Sequence, residues 1–142
     1  MDLKKRFATD KALEDGGAWV DLGEGASIKV ARVGNKNYNQ LFQRRVKQSR
    51  INLNINPLPE DVSQKFEAII VEAMAETILL GWNGMQEDGV EIPYSKENAI
   101  KLLTDYKDFR DIVVEHAKNM DTFRSQEIAD TEKNSKKRST GN

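Results

Sequence analysis

The sequence predicts an α+β fold: an N-terminal β-hairpin with short helices, then a mainly helical remainder and a disordered C-terminal tail. Three observations predict it. "AWVDLGEGASIKV" alternates apolar and polar residues about a glycine-rich turn. Residues 60–80 repeat apolar positions at helical spacing. The closing "EKNSKKRSTGN" holds no apolar residue at all. The length of 142 residues suits one domain, 1–132, followed by the tail 133–142.

Each element has its own warrant. In residues 1–15, Leu3 and Phe7 are one helical turn apart, and Thr9 or Asp10 can cap a second short helix carrying Ala12 and Leu13. Gly16-Gly17 ends it. The hairpin 18–34 follows, with Val20 and Leu22 alternating on one strand and Ile28 and Val30 on the other; Gly23-Glu24-Gly25 makes the turn. Asn35 or Asn37 caps a helix over 37–49 with Tyr38, Leu41, Phe42 and Val46 on one stripe. Its other face is basic, with Arg44, Arg45, Lys47 and Arg50. "INLNINPLPED" reads as an extended connector, because proline disfavours helix at the residue before it.

Glu60 and Asp61 then suit the positive end of the dipole of a helix over 60–80. Its expected core stripe is Val62, Phe66, Ile69, Ile70, Ala73, Thr77 and Leu80, widened by Met74 and Ile78. Residues 81–89 read as a loop, with Val90 to Ile92 as a short strand. Ser95 caps a final helical segment, 95–131, with Asn98 where a capping box prefers Glu or Gln. That segment is expected to kink or split near Asp105 to Asp108. No internal repeat of fixed period is present.

Composition excludes several function classes. The absence of cysteine rules out a disulfide framework, a thiolate metal site and a cysteine nucleophile. A net charge of −1 argues against a nucleic-acid binder, which needs basic excess to neutralise phosphates. No apolar run reaches the roughly 20 residues that span a bilayer. The N-terminal "MDLKKRFATD" lacks the apolar core of a secretory signal, so a cytoplasmic location is expected.

Catalytic patterns fail on inspection. "LGEGASIKVAR" imitates the kinase glycine loop, but Ile28 stands at its third glycine and no HRD or DFG tripeptide follows. No GxxxxGK[ST] loop is present. If Gly89 were the sixth position of an EF-hand, Gly84 and Gln86 would occupy ligand positions that need carboxylates. His116 is the sole histidine and cannot build a zinc site alone. No catalytic residue, metal site or cofactor is expected, and the chain reads as a non-enzyme.

The order of several short motifs points further. "DLKKRFATD" (2–10), "WVDLGEGA" (19–26) and "KVARVGN" (29–35), followed by "ILLGWNG" (78–84), "IPYSKENAIKLLTDYKDF" (92–109) and "FRSQEIADTEKNS" (123–135), are similar in kind and order to the tail assembly chaperones of long-tailed bacteriophages. Arg6 departs as an insertion, and Gly16-Gly17 stands where that family is more acidic. The resemblance implies a short protein, encoded upstream of the tape measure protein, that covers the apolar stripes of that long helical client until tail tube protein polymerises. It also implies a longer form, made by programmed frameshifting, that recruits tail tube protein. Work in the host cytoplasm and absence from the mature virion follow from the same resemblance. Homo-oligomer formation stays open.

Within that reading, adaptable apolar residues and amphipathic rings are the expected client surface: Met74, Ile78, Trp82, Met85 and Tyr94. Trp82 and Tyr94 also fit the plainer role of plugging the joint between the two helices. The rival readings are a head–tail or tail completion protein retained in the virion, and a small DNA-binding regulator using helix 37–49.

Overall fold

A computed structural model describes the backbone of residues 1–140; the side chains at positions 126 and 135–140, and residues 141 and 142 altogether, lie outside the described residues. Two short helices open the chain, α1 (Leu3–Phe7) and α2 (Lys11–Gly16), capped by the side chains of Asp2 and Asp10. Strands β1 (Ala18–Gly23) and β2 (Ala26–Val30) form the predicted antiparallel hairpin. Gly23, Glu24 and Gly25 all take positive φ in its turn, which explains the two glycines there.

Helix α3 (Lys36–Ser49) starts at Asn35. Asn35 is buried and does more than cap. Its side-chain oxygen accepts from Tyr38 N at 3.0 Å, while its amide nitrogen donates to the carbonyls of Arg32 at 2.8 Å and Thr77 at 3.2 Å. One side chain thus ties the end of the hairpin, the start of α3 and the end of α4 (Glu60–Thr77). We expect Asn35→Ala to cost about 1–3 kcal/mol, because it removes a cap and strips partners from buried carbonyls. A denaturant midpoint unchanged from wild type would contradict this.

The largest departure from the sequence reading comes directly after α4. Leu79–Asn83, expected as the last residues of the helix and the first of a loop, is strand β3, which pairs antiparallel with β2 and completes a sheet of order β1-β2-β3. Val30 pairs with Leu79 and Lys29 with Gly81, so Leu80 is an extra residue, a bulge in the ladder. The bulge turns both Leu79 and Trp82 inward despite their odd spacing. Gly81 therefore sits inside a strand and stops no helix.

The chain then makes a small two-stranded ribbon, β4 (Gln86–Glu87) with β5 (Val90–Glu91). Ser95 caps α5 (Lys96–Asp105) by accepting from Asn98 N at 3.0 Å, and the Asn98 amide donates to the Pro93 carbonyl at 2.9 Å. The expected split falls at Tyr106, whose φ of −118° and ψ of 87° separate α5 from α6 (Lys107–Lys118). A 3-10 turn (Met120–Phe123) leads into α7 (Gln126–Thr140).

One core joins these parts. Ile28, Val30, Leu79 and Trp82 from the sheet meet Val71, Met74, Ala75 and Ile78 of the α4 end, Leu102 and Leu103 of α5, Val113 and Ala117 of α6, and Phe123. The stripe of α4 is rotated from the expected one. Phe66, Ile69 and Ile70 are only half-buried: Ile70 packs at the margin of the core, and Phe66 faces α3. There Phe66 meets Phe42 edge-on at 5.7 Å, and Phe42 stacks on Tyr38 at 5.6 Å.

Helices α1 and α7 meet as well. Glu132 on α7 pairs with Arg6 of α1 at 2.7 Å and with the nearly buried Arg124, which also donates to the Lys5 carbonyl at 3.1 Å. Helix continues beyond that clamp to Thr140, into the stretch 133–142 where composition predicts disorder. Lysine and arginine, which make up half of residues 133–140, are good helix formers in their own right.

Candidate functional site

Among the described residues no group of three His, Cys, Asp or Glu is placed to hold a metal. No helix among them is long and apolar enough to cross a membrane. The feature that stands out is a groove. It lies between the β4–β5 ribbon and the elbow where α5 turns into α6, with a volume of about 650 Å³ and an open side.

The groove is built from three local decisions of the chain. Trp82 fixes the ribbon: its indole N–H donates to the Ile92 carbonyl at 2.7 Å. Tyr94 braces the return, donating its hydroxyl to the Leu79 carbonyl at 2.8 Å and meeting Trp82 edge-on at 5.0 Å. Tyr106 then ties the ribbon to the elbow by donating its hydroxyl to Glu87. That bond, with the charges of Glu87, Asp105 and Asp88, pushes the Tyr106 phenol above its ordinary range.

Its apolar lining comes from Met85 and Ile92 on the ribbon side, and from Leu102, Phe109 and Ile112 on the helices. Ile112 is 42% exposed although its neighbour Val113 is fully buried. An isoleucine so exposed beside Phe109 widens the apolar stripe of α6 beyond what the core uses. The groove can therefore take apolar side chains. Carboxylates of Glu87, Asp105 and Asp108, with Lys107, form the polar part of its lining.

The structure divides the residues expected to bind a client. Met74, Ile78 and Trp82 belong to the core, with 2%, 2% and 5% exposure. They are not surface, because the bulged strand β3 and helices α5 and α6 cover them. Met85 is half-buried and lines the groove. Tyr94 is 37% exposed but lines a different edge, against Trp82.

Leu102, Tyr106, Phe109 and Ile112, all in the helical segment 95–131, are groove residues that the sequence did not single out. A signal was present in "FRDIVV", whose Phe109, Ile112, Val113 and Val114 exceed one helical face. The basic face of α3 is partly committed, since Arg45 pairs with Glu72 of α4 at 2.9 Å. His116 is half-buried on α6.

A family model described as YdaY prophage protein matches residues 33–134. The chain belongs to that prophage protein family. The match spans α3 through most of α7, so it contains β3, the ribbon and the whole groove, and it leaves out the N-terminal hairpin. No curated protein and no solved structure matches. The YdaY prophage family makes the protein phage-related, and this agrees with the phage character of the motif resemblance at that broader level.

Proposed function

We propose that this YdaY-family protein is a non-enzymatic holding chaperone of phage tail assembly. It binds apolar helical segments of the tape measure protein and keeps that client soluble in the host cytoplasm until the tail tube polymerises. The observation that carries the reading is the groove at the α5–α6 elbow, where Met85, Ile92, Phe109 and Ile112 offer apolar surface to an incoming helix. Such a groove reads residues spaced about one helical turn apart, which is how amphipathic helices are held. The prophage family supports the phage setting, and the motif order supports the tail assembly role.

Several copies along one long client would add avidity while each contact stays weak enough to be displaced by tube protein. A longer frameshifted form recruiting tail tube protein belongs to the same proposal.

The test is co-expression with fragments of the tape measure protein from the same phage. Wild-type protein should move the fragments from the pellet to the supernatant and co-purify with them. Fragments that stay insoluble beside abundant folded protein would refute the chaperone reading. Purified virions should lack the protein by mass spectrometry; a fixed copy number per particle would favour a tail completion protein instead.

A further inference from the structure

The groove carries a charge pattern that its apolar lining does not explain. Its lining includes three carboxylates, Glu87, Asp105 and Asp108, against one cation, Lys107. Asp88 stands beside them, close enough to act on Tyr106 together with Glu87 and Asp105. Lys107 also acts on Glu67 of α4, so its charge is shared with the far side of the elbow.

Where α2 and α4 pack against other elements, carboxylates of theirs meet a cation within the chain. Glu14 pairs with Arg32, Glu67 with Arg110, Glu72 with Arg45 and Glu76 with Lys96. Among the described residues, no ion pair engages Glu87, Asp88, Asp105 or Asp108. Glu87 receives a neutral hydroxyl instead. The groove thus pairs an apolar floor with a negative rim that its own chain leaves uncompensated. A ligand that seats there gains if it supplies positive charge at the rim, and an acidic one is repelled.

We propose that this groove selects amphipathic helical segments whose apolar stripe is flanked by lysine or arginine, the apolar residues entering between Ile92 and Ile112 and the cations meeting Glu87, Asp105 and Asp108. This rests on the chaperone reading and adds the chemistry by which the groove chooses among client segments. It also accounts for a lone hydroxyl donor at the rim. Tyr106 holds Glu87 in place without neutralising it, so the carboxylate keeps its charge for the ligand.

The test uses two labelled model peptides, each about five helical turns long, with one leucine stripe and either lysine or glutamate flanks. Binding to the full-length protein is read by fluorescence anisotropy at low and high salt. The lysine peptide should bind about tenfold more tightly at low salt, and the gap should shrink as salt screens the rim. A triple variant, Glu87→Gln with Asp105→Asn and Asp108→Asn, should bind both peptides alike while keeping the wild-type melting temperature. Ile112→Asp should weaken both peptides.

Equal binding of the two peptides by wild-type protein, lost in Ile112→Asp, would overturn the charge selection and leave the groove standing. Undiminished discrimination in the triple variant would also overturn it. Binding of either peptide unaffected by Ile112→Asp would overturn the groove itself, and with it both proposals about this surface.

Discussion

Gly84→Ala should be the most damaging small substitution in this protein, and it should prevent stable folding. Gly84 has a φ of +73°, and an added Cβ would lie 2.2 Å from the carbonyl oxygen of Gly25 and 3.2 Å from the Cα of Ala26. Both obstacles are backbone of the hairpin turn, which cannot swing aside as a flexible side chain can. The left-handed conformation alone costs an L-residue roughly 1–2 kcal/mol. Gly89→Ala isolates that part, because Gly89 has a φ of +77° but nothing near its missing Cβ. The Gly89 variant should therefore stay folded with a modest loss, while the Gly84 variant should lose cooperative thermal unfolding. Equal melting temperatures for the two would show that β3 does not approach the hairpin as described.

Met74→Glu should also unfold the protein, whereas Met85→Glu should not. Met74 is 2% exposed and surrounded by the sheet, α5 and α6. A carboxylate in this apolar cluster would lose several kcal/mol of solvation or be forced to stay protonated. Net stabilities of single domains are only about 5–15 kcal/mol, so such a loss is ruinous. Met85 sits at the rim of the groove, half-buried, where a glutamate can turn to water. Circular dichroism of the two variants decides the matter. A folded Met74→Glu protein would mean that α4 does not close on the sheet.

These two methionines show how far the sequence could be read. The hairpin, the Asn35 and Ser95 caps and the break at Tyr106 are local features, and local chemistry announces them. Strand β3 is not local. Its "LLGW" continues the apolar pattern of α4, and the bulge at Leu80 erases the alternation by which a strand is usually known. Only pairing with β2, some fifty residues earlier, makes it a strand. Because β3 was hidden, Met74 and Ile78 looked like surface beside a loop, although the sheet and the α5–α6 pair bury them, while Trp82 does fill the joint as an aromatic plug.

The groove was hidden for a related reason. Met85 was legible as a binding residue from its type and its turn-rich neighbourhood. Phe109 and Ile112 lie on a helix whose apolar stripe serves both the core and the surface, and one sequence does not say where one ends and the other begins. The same ambiguity makes Phe66 half-buried against α3 instead of central. Phe66→Ala should accordingly cost less than the 3–5 kcal/mol or so expected for a fully buried ring such as Phe123.

The central claim is that the groove at the α5–α6 elbow is where a helical client seats. It is tested most directly by site-specific photo-crosslinking in cells that co-express the tape measure protein. A photoreactive phenylalanine analogue at Ile112, on the groove, should crosslink to the client in high yield. The same analogue at Trp19, which is 54% exposed on the opposite half of the chain, should give little or none. Crosslinks from position 19 and none from position 112 would contradict the account, and would assign client binding to the N-terminal hairpin.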